Sequence, residues 1–238
     1  MDEIANTYVD NIAISSNIFI NELCEYIIDL MYTDKCKCWS DIYEHLPTLY
    51  KLATFCESIL ELGVRGCVSS WAFSKGLLHN SSDNKLLICN DLEQCDIQKF
   101  KEISIGCGVQ IQEHWCNDLD LSLNTMVDMT FIDTWHVYGQ LKRELKKFAP
   151  ITKKMIVMHD TTSDGEHGET IRMHQNVDKM QKISGFPKEE ILKGLWPAVE
   201  EFLADHSEWI LVRRYSNCNG LTILARKEVA FDCLKLLD

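Results

Sequence analysis

From residue 57 onward the chain alternates short apolar runs with helical patterns, and that alternation limits the folds open to it. Residues 59–62, 85–91, 109–115, 127–133 and 154–160 have the length and apolar content of strands. Helical patterns follow at about 71–78 and 138–148, the second stopped by Pro150. Repeated strand-helix-strand units build a parallel sheet. Ligands of such sheets bind outside the carboxyl ends of the strands. Acids stand at or just past those ends: Glu61, Asp91, Asp118, Asp133 and Asp160.

The first strand runs into a glycine turn, Glu61-Leu-Gly63-Val-Arg-Gly66-Cys-Val-Ser69, and then a helix. Glycines suit a backbone that passes close to a ligand, where a β-carbon would collide. Glu61 is placed to take a hydrogen bond from a polar ligand group. The turn is not the dinucleotide fingerprint, because Glu61 stands where that motif has its first glycine.

Two further strands, 209–215 and 221–226, are joined across Asn219-Gly220, a hairpin signal. A terminal antiparallel hairpin departs from a plain nucleotide-binding sheet. Between these strands and the fifth lie a polar loop, 161–172, and helical patterns at about 171–182 and 197–205. Before residue 57 the pattern is helical, at about 17–32, with Ser16 as a candidate cap, and from about Ser40 to Phe55. The expected organisation is therefore a helical cap, 1–56, on a main domain, 57–238.

The net charge of −12 argues against a nucleic-acid backbone as partner. Lys142, Arg143, Lys146 and Lys147 read as a solvated helix face. No apolar run approaches the roughly 20 residues needed to span a bilayer, and the acidic start lacks the cationic region of a signal peptide. The 11 cysteines include no CxxC pair, and Cys36-Lys-Cys38 is a weak zinc signal. Reduced thiols in a cytoplasmic compartment are expected.

The order of elements resembles the class I S-adenosylmethionine (SAM)-dependent methyltransferases over about residues 57–227. The segments Glu61-Leu-Gly-Val-Arg-Gly-Cys-Val-Ser-Ser-Trp71, Phe131-Ile-Asp-Thr-Trp-His136, Met158-His-Asp-Thr-Thr162 and Asn219-Gly-Leu-Thr-Ile-Leu-Ala-Arg226 carry the likeness. They are similar to the small-molecule O-methyltransferases of the sugar, macrolide and catechol types. The resemblance implies an α/β, doubly wound, mostly parallel Rossmann-like sheet of seven strands, the last inserted antiparallel beside the fifth. It implies that Glu61, Gly63, Gly66 and Ser69 surround the methionine part of SAM. Asp91 would accept from the ribose hydroxyls, Asn117 and Asp118 would lie near the adenine, and Asp133 would border the donor.

Asp133-Thr-Trp-His136 also has the shape of the catalytic segment of catechol O-methyltransferase. In that family the aspartate binds magnesium, a lysine at the fourth position is the base, and a second aspartate followed by asparagine completes the metal site. Here Asp160 matches the second aspartate, Thr161 replaces the asparagine and His136 replaces the lysine. The candidate metal ligands are thus Asp133, Asp160 and Thr161, with Mg²⁺ left open. A neutral histidine suits removal of a hydroxyl proton, so His136 is the candidate base, with Asp133 beside it. His159 is weighed as a second base and read as structural. The expected acceptor is a small molecule, a sugar or sugar nucleotide. N-methylation of an amino sugar, a SAM-binding module without chemistry, and homo-oligomerisation stay open.

Overall fold

The computed structural model describes residues 2–238, with side chains from Phe19 onward. The strands are β1 (Ser58–Leu62), β2 (Lys85–Asp91), β3 (Val109–Trp115), β4 (Val127–Ile132), β5 (Thr152–His159), β6 (Trp209–Tyr215) and β7 (Leu221–Arg226). They form one sheet of seven in the order β3-β2-β1-β4-β5-β7-β6. β1 to β5 run parallel, and β7 runs antiparallel to both β5 and β6. Every residue of β1 and of β4 is buried, as befits central strands covered on both faces. The edge strands β3 and β6 leave residues exposed. The hairpin turns where expected, with Asn219 at φ +66° and Gly220 at φ +98°, the left-handed region that favours these two residue types.

The helices are α1 (Asp2–Lys35), α2 (Leu46–Ala53), α3 (Val68–Leu78), α4 (Gln98–Gly106), α5 (Tyr138–Phe148), α6 (Glu169–Arg172), α7 (Val177–Ser184), α8 (Lys188–Leu192), α9 (Trp196–Asp205) and α10 (Ala230–Leu237). Alternate strand residues face opposite helical layers. Ile59, Leu87, Phe131 and Val157 pack with Ile28 of α1, Leu49 of α2, Phe73 of α3, Phe100 of α4 and Cys233 of α10. Leu60, Ile88, Ile132 and Ile156 pack with Leu141 and Leu145 of α5 and Val199 of α9. Leu46, Leu49 and Leu52 have no exposed surface and share the first of these cores.

Two expectations change in detail. α1 begins well before Ser16, whose side chain lies outside the described ones, so that residue is not at a helix start. The helix expected over 171–182 is two pieces, α6 and α7, separated by His174 at φ +50°. Asn176 caps α7, its side chain accepting from the Lys179 N–H at 2.9 Å. Among the described residues, no helix is long and apolar enough to cross a membrane.

The strand order reverses between β1 and β4, since α3 and α5 lie on opposite faces. That reversal opens a crevice at the carboxyl ends of β1 and β4. The chain segments that leave those strands, at Gly63 and Asp133, form its floor.

Candidate active site

The crevice is a cavity of about 600 Å³. Gly63, Gly66, Ser69, Asp91, Asn117, Asp118, Asp133 and His136 all line it. Glu61 lies beneath it, fully buried.

Gly63 has φ +93°, and a β-carbon there would sit 2.0 Å from the carbonyl oxygen of Asp133. Its glycine is thus required by the crossing of two strand ends, not by a ligand. Gly66 is different, because a β-carbon there would meet no atom within 4 Å. The two N–H groups between these glycines, of Val64 and Arg65, donate to Asp91 Oδ2 at 3.0 and 2.9 Å. Asp91 therefore shapes the glycine turn with one oxygen and keeps the other, Oδ1, loosely held by the Glu93 N–H at 3.3 Å.

The Glu61 carboxylate accepts from Ser69 Oγ at 2.5 Å and Ser70 Oγ at 2.7 Å. Burial pushes its pKa up to about 8; Asp133 and Asp91 add to the shift, and the two serine hydroxyls oppose it. Farther along the cavity, the Gln140 amide bridges Asp118 Oδ1 and Glu144 Oε1, both at 2.9 Å. Burial raises both acids, Glu144 well above the ordinary carboxylate range. Asp118 Oδ2 is buried and has no hydrogen-bond donor among the described residues, so it is ready to accept from a ligand N–H. Asn117 uses its side-chain oxygen locally, accepting from the Leu119 N–H at 2.9 Å.

At the other end, two imidazoles meet two aspartates. His136 Nε2 lies 3.2 Å from both Asp133 Oδ1 and Asp160 Oδ2. His159 Nδ1 lies 3.3 Å from the same Asp133 oxygen and 3.1 Å from the same Asp160 oxygen. Asp160 is held in a left-handed conformation, φ +56°. His159 Nε2 donates to the Cys218 carbonyl at 2.9 Å, which fixes its tautomer. On the outer side, His136 Nδ1 contacts Asp164 Oδ2 at 3.4 Å and Glu169 Oε2 at 3.3 Å. These are ion-pair contacts rather than aligned hydrogen bonds. Arg172 grips Asp164 with two bonds of 2.7 Å.

Burial works against charge on both imidazoles, yet the acids prevail. His159 rises to about 10 beside Asp133 and Asp160. His136 is raised well above the ordinary histidine value by Asp133, Asp164, Glu169 and Asp160. Asp133, despite its burial, is held far below the usual carboxylate range by His159 and His136. With only protons in the cluster, the acids around His136 favour its protonated form. The base expected from the sequence is a neutral histidine of ordinary pKa, and the fold shifts His136 upward from that value. The reason is the four carboxylates around the ring, two of them, Asp164 and Glu169, from a stretch that reads as a polar loop.

By sequence, no protein-family profile and no curated protein matches the chain. Its structure does have relatives. The O-methyltransferase from Bacillus cereus in complex with SAH superposes with TM-score 0.54 at 13% identity, over 84% of this chain and 90% of that one. The O-methyltransferase TomG from Streptomyces achromogenes, involved in tomaymycin synthesis and in complex with SAM, gives 0.52 at 14%, over 89% and 96%. SAH-bound PaMTH1 from Podospora anserina, a methyltransferase, gives 0.52 at 13%, over 90% and 96%.

The fold is that of the class I SAM-dependent O-methyltransferases.

Within this methyltransferase fold, Thr161 turns away from the acids. Its hydroxyl is buried and lies 2.8 Å from the Thr222 hydroxyl, while its carbonyl accepts from Arg214. The residue brought to Asp133 and Asp160 instead is His159. Several lining residues carried no sequence signal. Asp41 and Ile42 reach the cavity from the loop before α2, and Met180, Ile183 and Phe186 from in and around α7. Phe186 stacks on Trp135, with ring centres 6.0 Å apart and planes at 17°. An aromatic two residues before α8, next to Pro187, gives no local hint of that pairing. The signal for Glu169 was present in the acidic composition of the loop, but that composition equally suits solvent.

Proposed function

We propose that this chain transfers a methyl group from SAM to a hydroxyl of a small, unphosphorylated acceptor such as a sugar. The observation that carries the reading is a single cavity with a donor end and a reacting end. At the donor end stand Ser69 over Glu61, the Gly66 opening, the loosely held Oδ1 of Asp91 and the buried Oδ2 of Asp118. These suit the ammonium, the backbone approach, a ribose hydroxyl and an adenine amino group in turn. At the reacting end stand Asp133 and His136, with Trp135 and Phe186 as an apolar wall. The sulfonium methyl is attacked in line by the acceptor oxygen: the O–C bond forms, the S–C bond breaks with its electron pair left on the sulfur of SAH, and the hydroxyl proton passes to a carboxylate of the lining, Asp133 or Glu169. Holding both reactants in that line supplies several kcal/mol of the acceleration.

The lining disfavours the sugar nucleotide among the expected acceptors. Asp41, Asp91, Asp118, Asp133 and Glu169 face the cavity, and the one arginine there, Arg65, is paired with Asp41 at 2.8 Å. A diphosphate would meet uncompensated negative charge. The same lining favours one second reading, N-methylation of a cationic amine.

The residues also fit a divalent cation at the place that the resemblance implies. Asp133, Asp160 and His159 offer ligand atoms to a common point, whereas Thr161 does not. An ion held there would lower the pKa of the acceptor hydroxyl. Incubation with methyl-labelled SAM and a panel of sugars, sugar nucleotides, amino sugars and catechols, with and without a chelator, tests the reading. SAH and an O-methylated neutral product are expected. Failure of SAM to bind at all in calorimetry would end it.

SAM affinity should also depend on pH. The donor is cationic at its sulfonium and ammonium, so it favours ionised Glu61. With the carboxyl at about 8, affinity should rise from pH 6 to 8 by up to roughly tenfold per unit and level off above. Stability runs the other way. The folded state keeps a proton that the unfolded chain releases above its ordinary carboxylate value, so the contribution of Glu61 to stability declines through that interval. Titration calorimetry at four pH values checks the first slope, and Glu61→Gln should flatten it. A flat wild-type profile refutes the coupling.

A further inference from the structure

We propose that Asp133, His136, His159 and Asp160 form one two-histidine, two-carboxylate centre that selects a zinc-class transition ion over Mg²⁺, with His136 a ligand and not a free base.

Three observations carry this. The first is spacing. Each imidazole nitrogen is 3.1–3.3 Å from each of the same two carboxylate oxygens. Two ligands with bonds of about 2.0 Å on a tetrahedral ion are roughly 3.3 Å apart. The four nitrogen-to-oxygen separations match those between neighbouring ligands on one ion, and Asp133, His159 and Asp160 gather as one candidate ligand group.

The second is what lies behind the rings. A histidine that binds a metal gives its other ring N–H to a carbonyl or a carboxylate, and that partner fixes which nitrogen carries the lone pair. His159 has such a hydrogen-bonded partner, whereas His136 has carboxylates at ion-pair distance that are not aligned for a hydrogen bond. His159 Nε2 is on the Cys218 carbonyl at 2.9 Å. His136 Nδ1 is flanked by Asp164 and Glu169, and Asp164 is itself gripped by Arg172. Glu169 also accepts from the His136 backbone N–H at 3.2 Å. With the outer nitrogens protonated, both lone pairs face Asp133 and Asp160.

The third is charge and donor type. Two carboxylates with two neutral imidazoles carry the charge that one divalent ion cancels. Mg²⁺ favours an all-oxygen shell, mostly of water, whereas imidazole suits zinc, iron, cobalt and nickel. His159 stands where an oxygen ligand was expected, and it changes the class of metal. Asp133 and His136 line the cavity, so an ion here is open to a ligand from the reacting end.

The proposal is independent of methyl transfer, and its test is read without SAM. The full-length protein is stripped with chelator and titrated with Zn²⁺, Co²⁺ and Mg²⁺. One equivalent of Zn²⁺ should bind at least about 100-fold more tightly than Mg²⁺. The Co²⁺ form should show visible d–d bands without a thiolate charge-transfer band, which separates this centre from the 11 cysteines. His136→Gln and His159→Gln should each weaken Zn²⁺ roughly 10- to 100-fold or more, with melting curves of the stripped proteins confirming the fold. His159→Glu supplies a reading that misfolding cannot imitate, since it should strengthen Mg²⁺ while weakening Zn²⁺. Equal affinities for Zn²⁺ and Mg²⁺, a thiolate spectrum, or Zn²⁺ binding indifferent to both glutamine variants would overturn the proposal.

Discussion

Asp133→Asn is expected to lower kcat/KM for methyl transfer by roughly a thousandfold. The same change should leave the SAM dissociation constant within a few-fold. Asp133 Oδ1 is the atom that both imidazoles share, 3.2 Å from His136 Nε2 and 3.3 Å from His159 Nδ1. An amide of the same size keeps the packing, and the backbone bond from the Asp133 N–H to the Leu62 carbonyl, 2.9 Å, is untouched. What goes is the negative charge between two rings, and with it the means of holding a cation beside the reacting oxygen. Steady-state kinetics with the acceptor found in the screen give the number, and calorimetry gives the SAM term. Wild-type turnover in this variant would remove the cluster from the chemistry.

Gly63→Ala should be the most damaging single substitution for stability. Its β-carbon would stand 2.0 Å from the Asp133 carbonyl oxygen and 2.8 Å from the carbonyl carbon, at a backbone φ of +93°. Both neighbours are backbone, held in the sheet by the Asp133 N–H and by the Gly63 N–H on the Asn90 carbonyl at 2.9 Å. No side-chain rotation relieves the clash, so β1 and β4 must part. A loss of about 4 kcal/mol or more is expected in urea unfolding, or failure to fold. Gly66→Ala is the contrast. With open space around its β-carbon, it should change stability by less than about 1 kcal/mol and weaken SAM instead. Equal losses from the two variants would show that the two glycines do not divide these roles.

That contrast also marks how far the chain could be read before folding. Both glycines were expected, but for one reason, the approach of a ligand. For Gly63 the neighbour is the backbone at Asp133, a residue distant in sequence that no local pattern connects to it. His159 followed the same course. Its place before Asp160 read as a strand residue, and its meaning came from Cys218 behind it and Asp133 in front. For His136 nothing in the sequence signalled the shift that its neighbours impose, because Asp164 and Glu169 arrive from a loop whose composition suits water as well as a ring.

The sequence by itself determined the succession of strands, the terminal hairpin, the glycine turn and the line of acids. These rest on interactions within a few residues: apolar runs, chain breakers and backbone angles open to glycine and asparagine. The tertiary structure alone decided which acids share an imidazole, that Thr161 faces Thr222 rather than a metal, and that Phe186 and Trp135 make one wall. Those contacts join residues far apart in the chain, and their distances are set by how two helical layers and a reversed strand order pack. No spacing along the sequence carries that information.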